Sequence, residues 1–400
     1  MHEVRTQRFN FFDVVFFVTW CVTLYFTRNM LCSVMMLAFC GCFAVTALRR
    51  PLTRKRTSYF FWSLAFILYG YFQIKLGNAI DAKVATTMVR SLVWNLIMVY
   101  AIAQYIQWKG DLRFCLKLLE TAIFLAATFV VVTSWRTLGT ERLGTGTEMN
   151  ANLLAMFCVY GLTLSLYLKR DSSRPTWYWA KIAIYILFVL LSGSRKGLTL
   201  ILLVWLIISL AHGKKRMIRN VLLIAIGAFF LYYAVMNVDA LYNVIGHRVE
   251  NLLYFLQHGS TSEGSLDSRR QLVEFGWGYV QQNPWTGYGY DCFKVISPIR
   301  SSTNEYNLYS HNNYVELLFG GGIFAFILYY VPMLLILKNL TRHLRTEPCV
   351  VYLLAIFAAK HAIEYAYVSY YSRVDAYLIA VILGALTYCE NKRTEEANLR

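Results

Sequence analysis

The residues of this chain best suited to chemistry are one histidine and a set of arginines. His311 opens the segment HNNYVELLFGGG, residues 311–322, where a polar stretch runs into an apolar, glycine-rich one. A neutral imidazole can accept a proton and so act as a general base. Guanidinium groups grip phosphate oxygens in a planar, bidentate fork. Arg195 and Lys196 lie in LLSGSRKGLTL, between two apolar runs with almost no loop. Arg269 and Arg270 follow SLDS, and Arg142 lies in ERLGTGTEMNANLLA. A cluster of such cations suggests a binding site for a lipid-linked phosphate or diphosphate.

Each of these residues also has a plainer reading. Arg195 and Lys196 could snorkel to lipid headgroups, although Ser192, Gly193 and Ser194 beside them allow close approach by a ligand or a neighbouring element. Arg269 and Arg270 could lie on an interfacial helix and touch lipid phosphates. Arg142 could pair with Glu141 or Glu148. Asn150 and Asn152 could cap the following helix or contact a ligand. Lys360 and Glu364 are four residues apart inside an apolar run, which favours a structural salt bridge.

Local pattern gives His311 a definite expected place. Ser310 is a candidate N-cap, which puts His311 at the first helical position, where the positive dipole end suits an anion and keeps the imidazole neutral. Positions 311, 315, 318 and 322 then share a face. Glu316 lies about 140° around the helix from His311, and Asn312 and Glu316 are spaced to pair. Gly320, Gly321 and Gly322 permit tight helix packing.

The elements that must position these groups are read from composition. Of 400 residues, 58% are hydrophobic and 15% charged, with a mean hydropathy of +0.45. Soluble domains carry roughly a quarter charged residues, so most of this chain cannot face water. We expect an all-α, polytopic membrane protein with about twelve transmembrane helices, near residues 10–27, 30–48, 59–76, 88–108, 114–134, 150–168, 176–193, 197–212, 220–237, 313–337, 349–367 and 374–389. The first apolar run has no small-residue cleavage site after it and reads as a retained helix.

With the N-terminus cytoplasmic, 23 of the 39 basic residues fall in cytoplasmic tails and short connections, as the positive-inside rule requires. That accounts for much of the formal net charge of +17 and removes the case for nucleic acid as a partner. Three regions follow: helices 1–9 over 1–237, a long external loop over 238–312 containing an amphipathic helix that lies on the membrane, and helices 10–12 with a cytoplasmic tail over 313–400. Arg136, Arg142, Arg195, Lys196, Arg248, Arg269, Arg270, Lys294, Arg300 and Arg373 form an external set that the rule disfavours. Nine scattered cysteines give neither a disulfide framework nor a zinc spacing.

HNNYVELLFGGGI resembles the hallmark segment of the O-antigen ligase and polysaccharide polymerase superfamily: a long external loop ending in His, then Asn, Ser or Gln, then nine residues to a Gly. His311, Asn312 and Gly322 fit that spacing. SGSRKGLTLILL is similar to the family's Ser-x-Ser-Arg helix start. SLDSRRQLVEFGWGYVQQNPWTGYGYDCF is similar to its Arg…Trp…Asn-Pro…Gly-x-Gly loop. GTGTEMNANLLA is similar to its Gly…Asn-Pro-Asn segment, with Ala151 in place of the proline. The four segments occur in family order over roughly residues 140–340.

The resemblance implies a metal-independent, cofactor-free membrane glycosyltransferase with a GT-C-like helical fold. It implies a bacterial inner membrane location, with both termini cytoplasmic and the long loop periplasmic. Its donor would be a polyprenyl-diphosphate-linked oligosaccharide, its surroundings membrane lipid, and its candidate partners a chain-length regulator and a flippase. His311, Arg195 and Arg270 would be catalytic. Arg269, Arg142, Lys196, Asn312, Asn152 and Glu316 would bind the diphosphate or substrate. The Gly-Thr-Thr pattern common after the motif in ligases is absent after Gly322, which favours a polymerase of O-antigen, capsule or exopolysaccharide. Trp277, Tyr279, Trp285, Tyr288 and Tyr290 could stack on sugars or form an interfacial belt. A lipid-linked glycan transporter is the competing class, but the chain shows neither a repeat nor matched broken helices. An accessory protein would leave His311 without a role.

Overall fold

The computed structural model describes residues 9–26, 30–52, 57–137, 141–145, 147, 149–211, 213–239, 264–300, 306–345 and 347–398, with isolated positions between 242 and 254. Helices occupy all twelve apolar segments: α1 Phe11–Tyr25, α2 Met30–Ala47, α3 Thr57–Lys75, α4 Ala82–Lys109, α5 Leu112–Thr133, α6 Ala151–Lys169, α7 Pro175–Leu191, α8 Arg195–Ala211, α9 Lys214–Asn237, α12 Asn313–His343, α13 Pro348–Ala362 and α14 Arg373–Asn398. Two more lie between α9 and α12: α10 Gly264–Gln282 and the single turn α11 Phe293–Ile296. No strand occurs among the described residues. Seven of these helices are long and apolar enough to cross a bilayer by length and composition: α2, α4, α5, α6, α12, α13 with its extension to Ala366, and α14. The chain is a polytopic, all-helical membrane protein.

Polar caps mark the helix starts. Asn10 and Asp13 form a reciprocal capping box on α1, with Asp13 N to Asn10 Oδ1 at 3.0 Å and Asn10 N to Asp13 Oδ2 at 2.8 Å. Asp81, Asp111 and Asn150 cap α4, α5 and α6. Pro175 and Pro348 occupy the first turns of α7 and α13, where their missing N–H costs nothing.

Helix α6 lies at the centre of one half, against α5, α7, α8 and α13, and α4 packs along α14 in the other. Three ion pairs are buried between these helices. Lys109 meets Asp13 at 2.7 Å, Lys181 meets Glu120 at 2.6 Å, and Lys360 meets Glu364 at 2.6 Å. Additional hydroxyls saturate the carboxylates: Ser165 and Tyr185 donate to Glu120, and Tyr105 donates to Asp13. A buried ion pair offsets its desolvation only with such extra hydrogen bonds.

The structural salt bridge expected at Lys360 and Glu364 is present, but Glu364 lies beyond the end of α13, in a 3-10 turn over Glu364–Ala366. Tyr330 donates to Glu364 Oε2 at 2.9 Å, and Asn313 Nδ2 donates to Tyr330 at 2.9 Å. Asn313 Oδ1 accepts from the amides of Ser369 and Tyr370. This network fixes the first turn of α12 to the α13–α14 connection.

Helix α10 departs from expectation. Its apolar face meets protein instead of the bilayer: Leu272 and Val280 are buried with Val84 and Ala85 of α4, Phe293 and Phe319. Helix α12 departs too. It breaks at Gly322, which has φ 61° and ψ −163°. The glycines therefore serve a different purpose from helix–helix packing, because they admit the loop that follows α10. Tyr288 N donates to Phe319 O and Gly289 N to Gly320 O, both at 2.8 Å, and Ile323 N donates to Pro284 O at 2.8 Å. Tyr69 donates to Gly321 O at 3.0 Å, and Gln73 Nε2 donates to Thr286 O. The carbonyls freed by the break are thus satisfied from outside the helix. A Cβ at Gly322 would stand 2.2 Å from the Trp285 carbonyl, and one at Gly287 (φ 69°) would stand 2.5 Å from Phe319 O. Neither position can carry a side chain without moving backbone.

Candidate active site

The turn before α12 is built differently from the sequence expectation. Asn312, not Ser310, is the N-cap: its Oδ1 accepts from Tyr314 N at 2.9 Å and Val315 N at 3.1 Å. The side-chain oxygen of Asn312 reaches the second and third helical amides, the geometry a cap requires. His311 therefore lies outside the helix, with φ 55°, and shares no helical face with 315, 318 and 322. The expected Asn312–Glu316 side-chain pair does not form. Asn312 is spent on capping, and Glu316 Oε2 accepts from Ser310 N at 2.9 Å. Ser310 Oγ donates to Asn312 O at 2.9 Å and accepts from Asn312 N at 3.3 Å. The ring of Tyr309 packs on that of His311, centroids 4.1 Å apart.

Burial, then the positive charges of Arg269 and Lys196, lowers the His311 imidazole from its ordinary 6.5 to about 4. The neutral form expected from a helix dipole is thus favoured by another cause. The same influences locate the neighbours. Arg269, on the first turns of α10, and Lys196, on the first turn of α8, are close enough for their charges to act on His311. The charges of Arg269, Arg142 and Arg195 in turn act on Lys196.

Local geometry holds these cations in place. Helix α7 ends at Leu191, and Ser192, Gly193 (φ 58°) and Ser194 turn the chain directly into α8. Arg142 Nε donates to Ser192 O at 2.9 Å, and Arg142 Nη2 donates to Asn152 Oδ1 at 3.2 Å. Ser194 Oγ donates to Asn152 Oδ1 at 3.1 Å. Asn150 takes the cap of α6, accepting from Asn152 N and Leu153 N. Asn152 is then the bracket between Arg142 and the start of α8. Lys196 Nζ donates to Ala366 O at 2.6 Å, linking α8 to the turn that carries the Lys360–Glu364 network.

The adjacent arginines of α10 part company. Arg270 is exposed and pairs with Glu274 at 2.8 Å, while the charge of Arg269 reaches His311. Neighbours on a helix point about 100° apart, so only one of the two can face the cluster. The sequence reading put Arg270 first and left Arg269 as the alternative; of the two, it is Arg269 whose charge acts on His311. The rest of the external set lies elsewhere. Arg136 stands over the Trp135 ring, Lys294 pairs with Asp291, and Arg373 begins α14. Arg248 and Glu148 lie outside the described residues, as do Arg5, Arg8, Arg54, Lys55, Arg56 and Arg400 of the cytoplasmic set.

The loop aromatics divide as well. Tyr290 is buried, stacked on Phe66 and donating to Phe66 O at 3.0 Å. Tyr279 and Tyr288 pack on Phe319. Trp277 and Trp285 are 47% and 62% exposed, leaving these two indoles open to a sugar or a headgroup.

Residues 180–330 match the Wzy_C family model, described as O-antigen ligase. The match spans less than half of the chain and shows a segment similar to the O-antigen ligase family. The match begins in α7 and ends in α12, so it contains Arg195, Lys196, Arg269 and His311 and excludes Arg142 and Asn152. It supports glycosyl transfer of the O-antigen ligase and polymerase type, a family that acts on lipid-linked oligosaccharides. No curated protein matches the chain.

Sequence reasoning gave Ser310 a different role, as the cap, and overlooked Tyr309 and Asn313 beside the histidine's turn and the interior pairs Asp13–Lys109 and Glu120–Lys181. The last pair carried a readable signal, since an acid and a base each interrupt an apolar run, in LKLLETAIF and WAKIAIY. The turn residues carried none, because their roles depend on which residue caps α12.

Proposed function

We propose that this protein is a polysaccharide polymerase of the bacterial inner membrane. It transfers a polyprenyl-diphosphate-linked glycan onto the non-reducing-end hydroxyl of a lipid-linked repeat unit. Twelve spans with both termini cytoplasmic put the His311 turn and α10 on the external side, where such donors are consumed. The reading is supported by a half-buried His311 on which the positive charges of Arg269 and Lys196 act, inside the segment matched to O-antigen ligase.

In this mechanism the donor diphosphate sits among Arg195, Arg269, Lys196 and Arg142, and the guanidinium groups meet the charge that develops as it leaves. His311 takes the proton of the acceptor hydroxyl. The acceptor oxygen bonds to the anomeric carbon, the bond from that carbon to the diphosphate oxygen breaks, and the electron pair departs with the diphosphate. In-line attack inverts the anomeric centre. Binding of the anionic donor offsets the positive charges that depress His311, raising its basicity only when the donor is in place. Trp277 and Trp285 offer stacking faces for the glycan.

The matched description favours a second acceptor, as in ligases, whereas the sequence IFAFILYY after Gly322 lacks the ligase Gly-Thr-Thr pattern. Complementation of a strain lacking this protein with His311→Ala and Arg195→Lys separates the readings. Loss of long-chain polysaccharide with accumulation of single lipid-linked repeats is expected of a polymerase. Full-length chains left unattached to their acceptor would indicate a ligase, and normal chains in both variants would remove the catalytic assignment.

A further inference from the structure

We propose that Glu316 is the positioning residue of His311, holding the catalytic turn by an acceptor oxygen without touching substrate. The inference rests on the reading of His311 as the base. His311 is a non-glycine residue in the left-handed region, a conformation that persists only where the surroundings impose it. Two devices flank it. On the C-terminal side Asn312 caps α12. On the N-terminal side the Ser310 amide is bound to Glu316 Oε2 at 2.9 Å, and Ser310 itself is fully buried. Ser310 Oγ closes the turn by bonding to both the carbonyl and the amide of Asn312. Removing Glu316 would leave the Ser310 amide without its acceptor in a buried site and free the turn to relax toward an ordinary backbone conformation.

Glu316 is 1% exposed, too enclosed to reach a glycan or a diphosphate in the cluster. Its Oε1 is buried with no hydrogen-bond partner among the described residues. The charges of Asp291 and Lys294 act on its carboxyl group. Those two residues are paired with each other and follow directly on the Tyr288–Gly289 strip docked on broken α12. Glu316 thus stands between the docked loop and the histidine's turn, tying the placement of one to the other.

The test compares Glu316→Ala, Glu316→Gln and His311→Ala in purified protein turning over a polyprenyl-diphosphate-linked oligosaccharide. Glu316→Ala is expected to lower kcat about 100-fold, the cost of misplacing a catalytic group by about 1 Å, with KM for the lipid-linked donor unchanged. Glutamine keeps an oxygen for the Ser310 amide, so Glu316→Gln should stay within about threefold of wild type, a neutral acceptor being roughly half as strong as a charged one. A glutamine variant as inactive as His311→Ala would overturn the proposal, because the carboxylate's charge or proton would then be in use. So would an alanine variant at the wild-type rate beside an inactive His311→Ala. If Glu316→Ala does not accumulate, the glutamine variant decides alone by the same criterion. An active His311→Ala would instead remove the base itself.

Discussion

The interior of this protein and the end of the bundle around His311 treat charge in opposite ways. Inside the bundle each buried lysine among the described residues meets a carboxylate: Lys109 with Asp13, Lys181 with Glu120 and Lys360 with Glu364. Around His311 cations are gathered beside one another. Arg142, Arg195 and Arg269 act on Lys196, and Arg269 and Lys196 act on His311. The interior pairs neutralise themselves and hold helices together. Like charges gathered in a partly buried cluster repel one another, and an incoming anion would offset that repulsion.

The largest effect that would sharpen the contrast lies on the interior side. Lys360→Met strands Glu364 in the core and is expected to cost about 3–5 kcal/mol of stability. Thermal unfolding of the detergent-solubilised protein reads this, and the double variant Lys360→Met/Glu364→Gln should recover much of it. If Lys360→Met melts like wild type, the interior pairs are not structural and the contrast fails.

Arg269→Gln should have the reverse signature: an unaltered melt with turnover reduced about 100-fold, the usual loss on removing one charge-stabilising donor. It should also change the pH profile in a definite direction. Protonation removes the lone pair of His311, so kcat/KM falls on the acid side, near pH 4 in wild type. Removing a positive neighbour raises that value toward 6.5, so the acid limb of the variant should move to higher pH. A limb that stays put or moves down would show that Arg269 does not act on His311. The smallest effect belongs to Arg270→Gln. Its exposed pair with Glu274 is of a kind worth little, and turnover should stay within about twofold.

The contrast also explains what could be read from sequence. Helix positions were legible because apolar runs and basic connections follow from the bilayer's thickness and charge asymmetry, and all twelve segments are helical. Of the site, the segments around His311 and Arg195 stood out only through their resemblance to family motifs, because the left-handed turn at His311 and the break at Gly322 leave no local signal: the sequence put one inside the helix and the other in a packing patch. The partners were not legible. Ser310 and Asn312 are both competent caps, and only the fold selects Asn312. Arg269 and Arg270 are identical in type and adjacent, and only the docking of α10 against α12 selects which faces inward. Gly320, Gly321 and Gly322 read as a helix-packing patch, because nothing local announces that a loop thirty residues earlier will supply hydrogen bonds to their backbone.

The most direct measurement is the release of polyprenyl diphosphate from a lipid-linked oligosaccharide by purified wild-type protein and His311→Ala in lipid nanodiscs, with donor binding measured in parallel. A positioned general base contributes about 10²–10⁴-fold, so turnover should fall within that range while donor affinity, set by the arginine cluster, is retained. Release at the wild-type rate by His311→Ala would contradict the assignment of the His311 cluster as a transferase site.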